Sequence, residues 1–262
     1  MNLLLAAASG WGKSWMCQAT TEENLDEYDA VCLLDYKDEY RGLVKGGMAK
    51  HWIAGPVERD QWTGDHYRQL LEQNGNVVLA RHSHMSEEDW RQVCAQAVQA
   101  GRRSSLNILW VIDEAHFVAP QRGGLLDPIK GLATTGRGEG QSAAWITQRL
   151  SEINETILAQ CTARQLGGFE SDQDLSKLAG VVEYPEEVHR SGGHKVVNLP
   201  DDLADDDGPI SVRKWKDDSG AVTGSEWIYS DDSGARERIN SADVEMTSEH
   251  VGAPGKEIHI PS

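Results

Sequence analysis

Residues 2–15, NLLLAAASGWGKSW, constrain the fold of this chain more than any other stretch of its sequence. A short apolar run of this kind is typical of a buried strand. Gly10 and Gly12 supply a turn after it, and the segment that begins at Lys13 has a helical pattern. A strand, a glycine-rich turn and a helix in this order bring backbone N–H groups together at a helix N-terminus, which predicts an anion-binding loop.

Ala7 is a departure of this loop from the phosphate-loop pattern G-x-x-x-x-G-K-[ST], because the pattern has glycine there. We expect alanine to be tolerated at the end of the strand provided that its φ angle stays negative. In such a loop a lysine reaches the β- and γ-phosphates of a nucleotide, and a hydroxyl binds Mg²⁺. The alternative is a glycine-rich turn that carries an exposed lysine. The predicted ATP-binding residues are Ser9, Gly10, Trp11, Gly12, Lys13, Ser14 and Trp15, with Ser14 also a ligand of Mg²⁺.

Strands and helices alternate along the first two thirds of the sequence. Apolar runs predict strands at residues 2–8, 29–36, 51–55, 76–81, 106–117, 142–148 and 163–169. Helical patterns and capping residues predict helices at residues 13–24, 86–101, 127–135, 154–160 and 171–180. The alternation predicts an α/β fold with a mainly parallel sheet and helices on both faces.

Asp113 and Glu114 end a strongly apolar predicted strand, whose last residues with them read ILWVIDE (108–114). A Mg²⁺-dependent NTPase of this class needs an acidic residue at the end of a buried strand near the phosphate loop. Asp113 would hold Mg²⁺, and Glu114 would polarise the attacking water. The alternative is an acidic pair that caps a strand without a catalytic role.

Gln148 stands at the end of another predicted strand, SAAWITQ (142–148). A strand-end glutamine beside a nucleotide can sense the γ-phosphate or orient the attacking water, and capping of a loop is the alternative role.

Two other classes of phosphate-loop protein fit the sequence less well. A guanine-specific GTPase would carry an N-K-x-D motif, which the sequence lacks. A small-molecule kinase usually has an arginine-rich lid and little use for an Asp-Glu pair.

Three segments carry the more specific motifs: DEAHFVAP (113–120), GRGEGQSAAWITQRLSEINETILAQC (136–161) and ARQLGGFESDQDL (163–175). Together they resemble the HerA/FtsK superfamily of DNA-translocating ATPases, and the resemblance extends from Leu3 to Ala179. It implies a RecA-like P-loop NTPase fold, with ATP and Mg²⁺ as cofactors. It also implies a ring of subunits, often a hexamer, that pumps double-stranded DNA through a central pore.

The resemblance implies roles for individual residues of this chain. Lys13 and Ser14 match the Walker A pair, and Asp113 and Glu114 match the Walker B pair. Gln148 matches the strand-end sensor of the family. The arginines that it implies are Arg137 near the nucleotide, Arg149 directly after the sensor, and Arg164 acting across a subunit interface.

The sequence departs from the family pattern at Ala7 and at Leu150, where proline is usual after the arginine. We also expect neither the N-terminal β-barrel of HerA nor the membrane segment of FtsK, because the sequence begins at its first core strand. Members this small resemble the genome-packaging ATPases of internal-membrane icosahedral viruses, including those of archaea. The implied partners are double-stranded DNA, further copies of the chain in a ring, and proteins of a capsid vertex or virion membrane.

The net charge of −17 arises from 42 acidic and 25 basic residues among 262. Excess surface acid keeps halophilic proteins hydrated and soluble in concentrated salt, so we expect a haloarchaeal or similar salt-in host. Together with the resemblance to viral packaging ATPases, this implies a haloarchaeal virus or provirus as the source. The alternative is an ordinary acidic protein with an acidic tail. The sequence shows no apolar run of 18 residues and no signal peptide, so we expect it in the host cytoplasm or incorporated in the virion.

The predicted domains follow a change in the character of the sequence. Residues 1–191 form the predicted ATPase domain. Residues 192–230 predict a C-terminal β-hairpin, because 209–216 and 225–230 alternate around a polar turn. Residues 231–262 have too little hydrophobicity for a core, which predicts an acidic, mobile tail.

Two other functions stay open at this stage. An ATP-dependent assembly or scaffold protein of the same fold would order an oligomer without moving DNA. The sequence permits this role because its compact basic clusters, Arg102-Arg103 and residues 213–216, are expected to be solvated surface charge. A conjugation or secretion motor of the same superfamily would need a membrane or coupling partner.

Trp11 lies inside the phosphate loop, where it could stack on a base or on a neighbouring subunit.

Overall fold

The computed structural model describes residues 1–251, which form one ten-stranded sheet with helices packed against it. The strands are β1 (Asn2–Ala6), β2 (Ala30–Asp35), β3 (Lys50–Ala54), β4 (Val77–Arg81), β5 (Ile108–Ile112), β6 (Gln141–Thr147), β7 (Ala163–Leu166), β8 (Lys214–Lys216), β9 (Val222–Asp231) and β10 (Arg236–Asn240). The α-helices are α1 (Lys13–Glu23), α2 (Arg41–Lys45), α3 (Pro56–Asp60), α4 (Gly64–Asn74), α5 (Glu87–Arg102), α6 (Ala115–Val118), α7 (Asp127–Thr135), α8 (Glu155–Gln160) and α9 (Asp172–Leu178).

Strands β1 to β7 all run parallel, in the spatial order β7-β1-β6-β5-β2-β4-β3. β6 lies between β1 and β5, so that Ala6 is opposite Thr147 and Ile112 is opposite Trp145. Because the carboxyl ends of parallel strands meet at one edge of a sheet, the loops after β1, β5, β6 and β2 converge there. We call this side of the sheet the carboxyl edge.

Two layers of apolar side chains cover the two faces of the sheet, since successive residues of a strand point to opposite faces. Leu4 and Trp110 belong to the layer that packs against α4, α5 and α7. Leu5 and Val111 belong to the layer that packs against α1. The α/β fold with a mostly parallel sheet and helices on both faces, predicted from the sequence, is confirmed.

Helix α5 begins as its sequence predicts. Ser86 Oγ accepts a hydrogen bond from the backbone N–H of Asp89 at 3.1 Å, and the Asp89 carboxylate accepts one from the backbone N–H of Ser86 at 3.3 Å. This reciprocal capping box satisfies two N–H groups that would otherwise lack partners. Two polar residues three positions apart were thus enough to place the start of this helix.

The predicted strand at 106–117 is wrong at its end. β5 stops at Ile112, and residues 115–118 turn into the short helix α6. The cause lies at Glu114, whose φ angle of +47° is in the left-handed region and ends the extended conformation. Helices α2, α3 and α4 were not predicted from the sequence. In the case of α4, the helix buries few large side chains: Tyr67, Leu70 and Leu71.

The C-terminal strands extend the same sheet. β8 and β9 form the predicted hairpin, but β9 continues to Asp231 and pairs antiparallel with β7, while β10 pairs with β9. The prediction of a mobile tail is therefore wrong for residues 231–251, and its remainder, residues 252–262, lies outside the described residues. β10 was missed because its sequence, RERIN, is mostly charged. Its Arg238 is held by Glu226 of β9, with Nη2 and Oε2 2.8 Å apart.

No helix within residues 1–251 has both the length and the apolar character that crossing a bilayer requires.

Candidate nucleotide-binding site

The loop between β1 and α1 has the backbone geometry of an anion-binding loop. Gly10 and Gly12 have φ angles of +68° and +84°, which glycine adopts readily and other residues rarely do. The first helical hydrogen bond of α1 runs from the N–H of Met16 to the carbonyl of Gly12, at 3.0 Å. The preceding N–H groups of the first turn have no intrahelical partner and are available to a phosphate.

Ala7 satisfies the condition under which alanine can replace the first glycine of the motif. The residues other than glycine with positive φ within 1–251 are Asp38, Glu114 and Asn198. Ala7 is fully buried, and its N–H donates to the carbonyl of Thr147 at 3.4 Å. A negative φ and a small side chain explain why this position accepts alanine.

Trp11 points into the protein instead of toward a ligand. Its side chain is fully buried, and its indole N–H donates to the backbone carbonyl of Glu226 at 3.1 Å. Ser225 Oγ donates to the backbone carbonyl of Trp11 at 2.8 Å. The indole ring also covers Gly167 and Gly168, where an added Cβ would come within 2.6 Å of it. The suggestion that Trp11 stacks on a base or a neighbouring subunit is therefore wrong, because β9 holds this side chain inside.

Lys13 follows the loop at the first position of α1. Partial burial lowers its pKa, and the nearby carboxylates of Glu114 and Asp113 act in the opposite direction. Within residues 1–251 it makes no ion pair shorter than 4.0 Å; the lysine pairs are Lys37–Glu114, Lys177–Glu155 and Lys214–Glu170. A partly buried ammonium group without a close carboxylate is suited to an anionic ligand.

Asp113 follows β5 at the carboxyl edge and is 5% exposed. Its Oδ1 accepts a hydrogen bond from the Tyr40 hydroxyl at 3.3 Å, while Oδ2 is buried without a partner among the described residues. Burial raises the pKa of Asp113 well above its usual range, and the neighbouring Asp35 and Glu114 add to this effect. Burial of a carboxylate oxygen without a hydrogen-bond partner costs free energy. A bound cation such as Mg²⁺ would remove that cost, so the environment of Asp113 fits a metal ligand.

Glu114 lies beside Asp113 and is 3% exposed. Its Oε1 accepts a hydrogen bond from Gln148 Nε2 at 3.0 Å and forms an ion pair with the ammonium group of Lys37. Its Oε2 lies 3.4 Å from His116 Nδ1. The left-handed backbone of Glu114 is a strained conformation for a glutamate, and such strain concentrates at functional sites. Both residues predicted to act on the attacking water, Glu114 and Gln148, are therefore in direct contact.

Lys37 contacts the candidate site through Glu114 and was not predicted from the sequence. It lies just after β2, with a side chain 39% exposed, and β2 is the neighbour of β5 in the sheet. Partial burial tends to lower the pKa of Lys37, but the hydrogen bond and charge of Glu114 prevail and raise it. The sequence shows that Asp35 ends an apolar run. It does not show that Lys37, two residues later, lies beside Glu114, because this depends on the order of the strands in the sheet.

The arginines do not join this site within one chain. Arg137 precedes β6, whereas Gln148 follows it, so the two lie at opposite ends of that strand. Arg164 pairs with Leu4 in the middle of β1 and forms an ion pair with Asp232, with Nη1 and Oδ1 2.8 Å apart. Arg149 lies next to Gln148 and is 55% exposed, in an ion pair with Glu152.

A cavity of about 420 Å³ opens on the other side of the phosphate loop. The sheet order places β5, with its acidic pair, on one side of β1 and places β9 and β10 on the other. The cavity lies on the side of β9 and β10. Its lining includes Gly12, Ser14, Trp15, Thr223, Ser241 and His250.

The strand order and the loop after β1 define the RecA-like P-loop NTPase fold. Among solved structures, the genome packaging NTPase B204 from Sulfolobus turreted icosahedral virus 2 in complex with ATP-gammaS has a TM-score of 0.56 and 13% identity, over 90% of this chain and 95% of that one. Its complex with AMPPCP gives 0.53 and 12% over the same shares. B204 described as the DNA-packaging ATPase from Sulfolobus turreted icosahedral virus gives 0.55 and 12%, again over 90% and 95%.

These similarities, at 12–13% identity, confirm the fold. No protein-family model and no curated protein matches the sequence.

Proposed function

We propose that this protein is an ATP-hydrolysing, oligomeric motor that translocates double-stranded DNA and packages a viral genome into a capsid, in a halophilic archaeal host. The observation that carries the proposal is the convergence of Lys13, Asp113, Glu114 and Gln148 at the carboxyl edge of a RecA-like sheet. In this proposal Lys13 would bind phosphate, Asp113 would be a metal ligand, and Glu114 and Gln148 would activate the water. The similarity to B204 supports packaging as the use of the motor.

The polyphosphate would lie over the first turn of α1. Its oxygens would accept hydrogen bonds from the loop N–H groups, and Lys13 would neutralise the β- and γ-phosphates. Ser14 and Asp113 would hold Mg²⁺, which when bound neutralises charge that develops on the phosphates. Asp113 Oδ2, which has no hydrogen-bond partner among residues 1–251, is the feature that fits a cation here.

The attacking water would be held by Glu114 and Gln148. Glu114 would accept the proton of that water, and the Gln148 amide would orient it toward the γ-phosphate. Gln148 already donates to Glu114, so loss of the γ-phosphate would change a contact at the end of β6 and move the loop after it. Arg137, Arg149 or Arg164 would act from a neighbouring subunit of the ring, a hexamer in this proposal.

The nucleoside would occupy the cavity beside β9 and β10. The γ-phosphate would lie near Glu114, and the polyphosphate would cross the loop toward Trp15. The α-phosphate, which carries the nucleoside, would then lie on the β9 side of β1. The cavity of about 420 Å³ is large enough for a base and a ribose, since ligand pockets span roughly 300–1,000 Å³. The ring of Trp15 would form one wall, and Thr223 and Ser241 would offer hydroxyl groups.

Triplex displacement tests translocation directly. Protein, ATP and Mg²⁺ are added in multimolar KCl to duplex DNA that carries a third strand, and the release of that strand is followed. The proposal predicts release that requires ATP and is lost in the Glu114→Gln variant. Hydrolysis without any release of the third strand would contradict a DNA motor.

An ATP-dependent assembly protein is the second candidate function. It is favoured by the contacts of the two compact basic clusters, because an arginine of each cluster forms ion pairs within the chain. Arg102 pairs with Glu139 at 2.7 Å, and Arg213 pairs with Asp205 and Asp207, each at 2.7 Å. An assembly ATPase would oligomerise on binding ATP, and its hydrolysis would be indifferent to DNA.

A further inference from the structure

A short C-terminal segment, residues 247–250, lies along the phosphate-loop helix, and we call it the strap. Ser14, Gln18 and Glu22 are spaced four residues apart on α1 and therefore form one stripe of the helix surface. The Glu22 carboxylate accepts three hydrogen bonds from the strap. They come from the N–H of Thr247 (2.5 Å), the N–H of Ser248 (3.0 Å) and the Ser248 hydroxyl (2.6 Å).

Gln18 has only one amide orientation that suits its surroundings. Its Nε2 lies 3.3 Å from the backbone carbonyl of Glu249, which can only accept a hydrogen bond. The same nitrogen lies 2.8 Å from Ser248 Oγ, whose own proton is donated to Glu22. Both partners therefore require a donor, which leaves Oε1 of Gln18 to face the ring of His250.

The orientation of Gln18 decides the tautomer of His250. Nδ1 of His250 lies 3.0 Å from Oε1 of Gln18, so this ring nitrogen carries the proton and donates it. In a neutral imidazole the other nitrogen, Nε2, is then an acceptor. Ser14 Oγ lies 3.4 Å from Nε2, and the Ser14 hydroxyl is consequently the donor in this contact.

We propose that His250 is a positioning residue for Ser14, and that it holds the hydroxyl proton so that the lone pairs of Oγ face the metal bound with the nucleotide. This inference rests on the proposed function, because it assigns Ser14 as a ligand of Mg²⁺. A serine that donates its proton to one fixed acceptor has only lone pairs left for a cation, and its rotation is restricted. The bond of 3.4 Å is long, and such bonds tighten when the ligand arrives.

The contact between Ser14 and His250 joins two parts of the chain that are 236 residues apart in sequence. Glu249 adds to the fit, because its carbonyl fills the space over Gly42, where a Cβ would come within 1.9 Å of it. Glu249 therefore connects the strap to α2, while each of the four strap residues contacts α1.

Binding of Mn²⁺, followed by electron paramagnetic resonance in the full-length protein with ATP-gammaS bound, tests the proposal without turnover. His250→Phe should weaken Mn²⁺ binding about three- to tenfold, as expected for the loss of one hydrogen bond. His250→Gln should restore most of the affinity, because its amide oxygen can accept the Ser14 proton. In a Ser14→Ala background, His250→Phe should have no further effect.

Ser248→Ala is the matched control, since it removes strap contacts to Glu22 and Gln18 and leaves the ring of His250 in place. Equal loss of Mn²⁺ affinity in Ser248→Ala and His250→Phe would overturn the proposal in favour of general strap docking. Unchanged affinity in His250→Phe would overturn it as well. ATP-gammaS binding measured with EDTA distinguishes failure of the proposed function from failure of the role of His250. Absence of all nucleotide binding would contradict the proposed function, and with it the role of His250.

Discussion

The ammonium group of Lys37 and Oε1 of Glu114 form an ion pair across the ends of β2 and β5, and Gln148 donates to the same oxygen. Lys37 thus fixes the carboxylate that is proposed to activate water. Its position also brings a second cation close to the space where Lys13 would bind phosphate, since the charge of Lys37 contributes to the lowered pKa of Lys13. An arriving γ-phosphate would therefore compete with Glu114 for Lys37.

Replacement of Lys37 by alanine should lower kcat for ATP about ten- to hundredfold. Without its ion pair, the carboxylate of Glu114 is held by one amide and leaves its working position more often. Steady-state hydrolysis together with ATP-gammaS binding gives the measurement. Lys45→Ala, an exposed lysine of α2, is the control. A Lys37→Ala variant with the kcat of the wild type would show that the ion pair has no part in catalysis.

Replacement of Glu114 by glutamine should keep ATP binding and reduce turnover by about 10²–10⁴-fold, the usual contribution of a general base. The amide fills the same space and can still meet Gln148, but it cannot accept the proton of water. Nucleotide affinity and hydrolysis are measured on the same preparation. Normal hydrolysis in Glu114→Gln would mean that another group activates the water.

Trp11→Ala should destabilise the fold by about 3–5 kcal/mol, because it empties a site that is fully buried under β9. Urea unfolding in concentrated KCl measures this change, and Trp52→Ala, a 40% exposed tryptophan, should cost far less. If Trp11 instead stacked on DNA, the variant would keep its stability and lose DNA affinity. That pattern would contradict the position of Trp11 in this structure.

Some components of the candidate site can be predicted from the sequence, and others cannot. The apolar runs before Lys13, Asp113 and Gln148 placed three components of the site, because strand-end residues of a parallel sheet share one edge. The contact of Lys37 with Glu114 required the strand order, which apolar runs do not reveal. β10 and the strap were missed for another reason: their stability comes from ion pairs and polar contacts such as Arg238 with Glu226, and these leave no hydrophobic pattern.

Buried His189 should make folding stability depend on pH. Burial lowers the pKa of His189 to about 4, and its Nδ1 lies 2.9 Å from the carbonyl of Gly167. The unfolded chain, with a histidine pKa of about 6.5, then binds more protons than the folded chain between those values, so this stability contribution is lost as the pH falls from about 6.5 to about 4.

The stability difference between wild type and His189→Gln should therefore shrink by about 2 kcal/mol from pH 7 to pH 5. Taking the difference cancels the contribution of other groups, among them Asp35, whose pKa is raised by burial to about 6. His84→Gln, in an exposed loop, should show no such trend. A constant difference for His189→Gln across this range would show that His189 is not buried in its neutral form.

ATP hydrolysis in multimolar KCl, measured with and without double-stranded DNA, distinguishes a DNA motor from an assembly ATPase. A DNA motor should show Mg²⁺-dependent hydrolysis that rises when DNA is added and that disappears in Glu114→Gln under both conditions. Hydrolysis at the same rate with and without DNA, by a protein shown to be folded and oligomeric, would contradict a DNA motor and favour the assembly ATPase.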